Sequence, residues 1–227
     1  AALVKAVTDA AGTSASATKA DETLAALKAL GVTVTDANKA AYQTAIAAAT
    51  NTAPTNTDTK AKLAAIVKAE DEKVLVAAVT TAAGTTTAPE KAADTLAALK
   101  ALGITGLADA NTYKYQEAIA AKTNGAPTNT DTKAKLQAIV DTVNADVAVA
   151  ASKAALVTPT ISDDKTNLGT LPTSDATNGT TIAWTSGTVA TLTDAGAAVA
   201  AQTGSVTLTA TISKTGATNA TQTYTVV

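Results

Sequence analysis

Few residues in this chain could carry chemistry, and the residue types that are missing narrow the choice. The 227-residue sequence contains no Cys, His, Met, Phe or Arg. Without Cys or His there are no disulfides, no thiolate or imidazole metal ligands, and no Ser-His or Cys-His nucleophile. Carboxylates, lysines and hydroxyls remain. The pair Asp163-Asp164, with Asp175 and Asp194, could hold Ca²⁺, because hard cations take several carboxylate and carbonyl oxygens. Adjacent Asp residues also serve simply as turn formers. If calcium is the cofactor, Asp163 and Asp164 are the expected ligands, where a metal would stiffen the junction between the two parts of the chain. Glu70-Asp71-Glu72 beside Lys73 is a second charged cluster, but charges along a helix usually form a solvated face.

Other chemistry fares no better. Paired carboxylates for glycoside hydrolysis exist by residue type, yet no aromatic cluster is available to hold a sugar. Gly103-Ile104-Thr105-Gly106 lacks the Lys and the strand context of a phosphate loop. Tyr42 and Tyr115 could be exposed platforms, but their place on apolar helix stripes assigns them to the core. Asn178-Gly179-Thr180 matches a glycosylation acceptor, although Asn-Gly in a hairpin turn has a sufficient structural explanation. The expectation is a protein that is not an enzyme.

Composition points to setting rather than mechanism. The chain holds 58 Ala and 46 Thr, and its net charge is −2 with Lys as the only basic type. Such a balance argues against nucleic acid and anionic membranes as partners. The apolar runs fall short of a membrane span, so no membrane insertion is expected, and no signal peptide is legible at Ala1. A chain without Cys or Met offers nothing that oxidises readily, which suits an extracellular location.

The elements that must position these residues divide near residue 155. Residues 1–153 hold 15 Lys against 15 acidic residues; residues 154–227 hold two Lys and four Asp and are rich in Thr, Val and Gly. The first part repeats. Leu24–Gly31 recurs identically at Leu96–Gly103, an offset of 72, and Ala53–Leu63 recurs at Ala126–Leu136, an offset of 73. Asp36-Ala37-Asn38 matches Asp109-Ala110-Asn111, Tyr42 matches Tyr115, and Leu3–Gly12 resembles Leu75–Gly84. One residue inserted near Gly106 accounts for the change of offset. A period this long means a small helical domain duplicated in tandem.

Punctuation divides each repeat. A helix over 20–30 should end at Gly31 in a left-handed cap, with Leu24, Leu27 and Leu30 on one stripe. Asp36 or Thr35 can cap a second helix to about Ala49, and the Pro54 segment must be a loop. Asp58 should start a helix with no breaker before Gly84, so one long helix near 58–82 closes the first bundle and opens the second. The second repeat follows the plan with helices over Leu96–Leu102, Tyr115–Ala121 and from Asp131 to about Ala155. The expected organisation is two tandem three-helix units, 1–82 and 74–155, sharing that helix and forming a semi-rigid rod.

The last segment has period two. Thr180–Thr185 places Ile182 and Trp184 on one face; Val206, Leu208, Ala210 and Ile212 alternate with Thr207, Thr209, Thr211 and Ser213; Tyr224 and Val226 alternate with Thr223 and Thr225. Short intervals and Gly turns predict an Ig-like β-sandwich over 156–227 with Trp184 as its anchor. The final strand, about Ala220–Val227, carries no charge and lacks the Lys, Pro or bulge that protects an exposed edge. Tyr224 and Val226 are therefore the candidate assembly contact, the alternative being a strand paired wholly inside its own subunit.

Leu171-Pro172-Thr173, Asn178–Trp184 and Val206–Ile212 resemble the reduced bacterial Ig-like domain, found in surface-layer proteins, adhesins and wall-associated enzymes. The helical repeats resemble Ala-rich three-helix repeats of Gram-positive surface proteins. Together these resemblances imply a bacterial surface-layer or related cell-surface protein, although no surface-layer homology motif for wall anchoring is present. Two functions of different class follow. The first is a structural, self-assembling subunit of a surface layer or extracellular filament, whose partners are copies of itself and a cell-wall polysaccharide. The second is an adhesin or binding module for a host protein or polysaccharide. A binding site should break the repeat symmetry with an exposed aromatic patch; no such patch is legible, so the structural role ranks first.

Overall fold

In the computed structural model, the described residues are 1–51, 57–123, 130–159, 170–187, 193–194 and 205–226. Among these residues, seven α-helices are followed by a four-stranded antiparallel sheet. The chain divides into two compact units, Ala1–Leu136 and Gln137–Val227. The sheet shares its unit with most of the last helix.

The helical unit contains α1 (Ala2–Ala11), α2 (Ala17–Ala29), α3 (Lys39–Thr50), α4 (Lys60–Ala83), α5 (Ala92–Leu102) and α6 (Thr112–Thr123), and the start of α7 (Lys133–Ala155). The glycine stops behave as the sequence predicts: Gly31 and Gly103 sit at φ 74° and 72°, a region that costs a residue with a Cβ. The starts differ. One-turn 3₁₀ segments, Asp36–Asn38 and Asp109–Asn111, precede α3 and α6, and no side-chain oxygen caps the first of them. α4 is capped by Thr59, whose hydroxyl accepts from Lys62 N–H at 3.2 Å, rather than by Asp58.

α4 runs unbroken for 24 residues, about 36 Å at 1.5 Å per residue. Its first half sends Leu63 and Val67 into a core with Val7, Leu24, Leu27, Tyr42 and Ile46. Its second half buries Val76, Val79 and Ala83 and packs on α5 and α6. Core positions match across the repeats: Val7 and Val79, Leu27 and Leu99, Tyr42 and Tyr115, Ile46 and Ile119, Leu63 and Leu136 are all fully buried. Alanine elsewhere on these helices lets backbones approach closely, which offsets the shortage of large side chains by dispersion contact.

In the second unit, β1 (Ser174–Asp175), β2 (Thr180–Ser186), β3 (Val206–Ser213) and β4 (Ala220–Val226) pair in sequence order. Ile182 faces Ile212, Trp184 faces Ala210, and Leu208 faces Tyr224, so the period-two pattern sets the register. One face is a core of Leu171, Ile182, Trp184, Leu208, Ile212, Tyr224 and Val226, which Val149 of α7 joins. The other face is lined by Thr. Among the described residues there is one sheet, and α7 contributes to the layer that covers it.

Candidate functional site

Asp163 and Asp164, the expected calcium ligands, lie outside the described residues. Their two companions are described and are engaged by the protein itself. Asp175 accepts from Asn178 Nδ2 at 2.7 Å, Ser152 Oγ at 2.8 Å and Thr177 N–H at 3.0 Å. These donors, the Asn178 amide first, hold its carboxyl below the ordinary value. Ser152, 1% exposed, also shares a hydrogen bond with the buried Thr180 hydroxyl, so the cluster fastens α7 to the start of β2. Asp194 accepts from Ser186 N–H at 2.7 Å. No group of three or more acidic residues suited to a metal occurs among the described residues.

Tyr224 and Val226 belong to the core of their own unit, each 8% exposed. The Tyr224 ring lies 5.8 Å from Trp184, and Trp184 Nε1 donates to the Pro172 carbonyl at 2.8 Å. The Tyr224 hydroxyl has no hydrogen-bond partner among the described residues, and burial pushes its pKa up. Their side chains are thus committed within the subunit. β4 is the last strand in the sheet order among the described residues and pairs there only with β3.

Tyr42 and Tyr115 are core residues with polar tips. Tyr42 OH donates to Asp71 Oδ1 and accepts from Thr35 N–H at 2.9 Å. Asn38 Nδ2 donates to the same carboxylate oxygen at 2.6 Å. Burial, then the Asp71 bond, raises the Tyr42 pKa. Tyr115 OH accepts from Ala108 N–H at 3.0 Å. Glu70, in the acidic cluster, pairs with Lys73 at 2.6 Å. The two edge a shallow groove of about 490 Å³ whose floor is otherwise Ala and Thr of α3. That groove offers one ion pair and the Thr44 hydroxyl, and its lining holds no second carboxylate to work with Glu70 in acid–base chemistry.

Two features escaped the sequence reading. Gln43 is 1% exposed, and its Nε2 donates to the carbonyls of Ala11 and Ser14, at 2.6 and 2.8 Å, while its Oε1 accepts from Ser16 N–H at 3.0 Å. Gln116 repeats this on Ala83, Thr86 and Ala88 at 2.7, 2.9 and 3.0 Å. Each glutamine satisfies the backbone groups that a helix end leaves open. The signal was the Tyr-Gln dipeptide recurring at the repeat offset. The second feature is Tyr113, 41% exposed on α6, where the first repeat has Ala40. It is an exposed aromatic that breaks the repeat symmetry, which the sequence reading did not find.

Compared with family models, curated proteins and solved structures, the chain matches none. No helix among the described residues is long and apolar enough to cross a membrane.

Proposed function

We propose that this chain is a structural, self-assembling subunit of a bacterial surface layer or extracellular filament, working outside the cell. In this reading the helical part is two tandem three-helix units joined through α4, and the sheet is the described part of a reduced Ig-like domain. The observation that supports the reading is β4: seven residues without charge or proline, at the end of the sheet order among the described residues. Unpaired main-chain groups along such an edge are a template for a strand of another copy, and head-to-tail repetition of that contact propagates an open array. A net charge of −2 over 227 residues adds little long-range repulsion between copies. Calcium and a cell-wall polysaccharide are the ligands this role would use.

Electron microscopy with light scattering on the concentrated chain, with and without millimolar Ca²⁺, tests it. Sheets or filaments are expected for the native chain, and their loss for Thr223→Lys, which puts a charge on the edge strand. A native chain that stays monomeric in both conditions sinks the assembly role.

One observation favours the second function, a binding module for a host protein or polysaccharide. Tyr113 stands exposed in one repeat and has Ala40 as its counterpart in the other, and exposed tyrosines are favoured anchors of recognition surfaces.

A further inference from the structure

We propose that Asn219 is an acceptor for an asparagine-linked glycan, and that the folded chain closes its other acceptor triplet, Asn178-Gly179-Thr180, to modification. The sequence contains two Asn-x-Thr triplets, Asn178-Gly179-Thr180 and Asn219-Ala220-Thr221. Transfer requires that the Asn carboxamide and the hydroxyl two residues on both be reachable by the enzyme. The two triplets differ in this respect. Asn178 Nδ2, the atom that would be glycosylated, donates to Asp175 Oδ2 at 2.7 Å. The Thr180 side chain is buried, and its hydroxyl is held by Ser152 at 2.8 Å. Opening this triplet means breaking the cluster that fastens α7 to β2.

Asn219-Ala220-Thr221 is presented instead. Asn219 and Thr221 are both exposed, and no side-chain hydrogen bond among the described residues engages either one. The triplet lies where the β3–β4 turn enters β4, with Gly216 at φ 85° in the turn and open space around it. Asp146 Oδ1 holds the turn by accepting from Thr218 N–H at 2.8 Å, so the loop is fixed one residue before the acceptor while the acceptor stays outside. The triplet's last two residues open β4, which among the described residues pairs only with β3.

In the transfer, the Asn219 carboxamide nitrogen attacks the anomeric carbon of a polyprenyl-pyrophosphate oligosaccharide. A carbon–nitrogen glycosidic bond forms, the bond from that carbon to the phosphate oxygen breaks, the polyprenyl pyrophosphate leaves, and the amide gives up one proton. No oxidant or reductant takes part.

The test uses the purified full-length chain with an oligosaccharyltransferase that accepts Asn-x-Thr and a polyprenyl-pyrophosphate oligosaccharide donor, read by peptide mass spectrometry. In the folded chain a glycan is expected on Asn219 and none on Asn178. Thr221→Ala and Asn219→Gln, each checked for native circular dichroism, should abolish it. In the same chain unfolded by heat or denaturant before a rapid assay, both asparagines should be modified, which separates closure by the fold from rejection by the enzyme. An unmodified Asn219 in the folded chain, or equal modification of Asn178 and Asn219 there, overturns the proposal.

Discussion

The first helical repeat and the second are alike at the buried Gln and Thr positions and unlike at several exposed ones. Gln43 and Gln116 hold the same three backbone groups. Thr23 and Thr95 are fully buried, and each bonds the carbonyl four residues back. Even the Thr50–Thr57 contact at 3.3 Å has its counterpart, Thr123–Thr130 at 3.4 Å. The surface diverges. The Lys39–Asp21 pair of the first repeat, 2.6 Å, is replaced by Thr112 and Ala93, and Ala40 by Tyr113. A buried polar group without partners is costly, whereas an exposed ion pair adds little. The interior polar set therefore tolerates little change, and the surface is free to acquire a separate role in each repeat.

The largest effect expected from this comparison is at the glutamines. Gln43→Leu keeps the volume roughly constant but strips partners from the carbonyls of Ala11 and Ser14 and from Ser16 N–H. Leaving such groups unsatisfied should cost about 3 kcal/mol in stability, measured by denaturant unfolding. Gln116→Leu should cost a similar amount. If one substitution is silent and the other severe, the repeats share geometry without sharing energetics.

Why the glutamines were invisible in the sequence while the leucines were not is a matter of what periodicity reports. Leu24, Leu27 and Leu30 advertise a helix face, and Gly31 its end, because apolar spacing and positive φ are local properties. Long α4 was legible for the same reason, since no breaker interrupts it. Gln43 is polar at a position the pattern assigns to the core, and its reason for being there lies 27 to 32 residues away at the α1–α2 turn. Likewise the alternation in β2–β4 identified the buried face of the sheet, with Trp184 and Tyr224 in it. It carried no information that Val149, on a helix, would join that core. Alternation also placed Tyr224 and Val226 on one face of β4, and that face is the buried one; it says nothing of the strand's edge.

An intermediate effect is expected at the tyrosine that sets the first repeat's polar tip. Tyr42→Phe removes the donor to Asp71 and the acceptor for Thr35 N–H, a loss of about 1–2 kcal/mol near neutral pH. The pH dependence has a definite sign. Burial and the Asp71 bond raise the folded-state pKa of Tyr42 above its unfolded value. Its stabilising contribution is therefore complete below the ordinary tyrosine pKa and is lost as pH rises through the folded value. The gap between native chain and Tyr42→Phe should narrow on the alkaline side. A gap that widens there would mean that the phenol is not held neutral by the fold. The position matching Asp71 in the second repeat is Asn144, so Asp71→Asn makes the two repeats alike at this point and sharpens the contrast.

The smallest effect on stability, and the one that separates the two functions, belongs to Tyr113. At 41% exposure its ring shields only part of its surface, and it occupies the place of an alanine in the matching repeat. Tyr113→Ala should change unfolding free energy by no more than about 0.5 kcal/mol, the usual range for a surface substitution. Its companion, Ala40→Tyr, should be equally mild, since α3 carries the shallow, small-residue groove at that position. If the chain is a self-assembling subunit joined through β4, neither change alters the array seen by electron microscopy. If it is a binding module anchored by Tyr113, Tyr113→Ala removes capture of the host protein or polysaccharide and leaves the oligomeric state untouched. Ala40→Tyr would then create a second anchor on the first repeat. A Tyr113→Ala chain that loses several kcal/mol of stability would break the comparison itself, because the ring would then belong to the conserved interior rather than to the surface in which the two repeats differ.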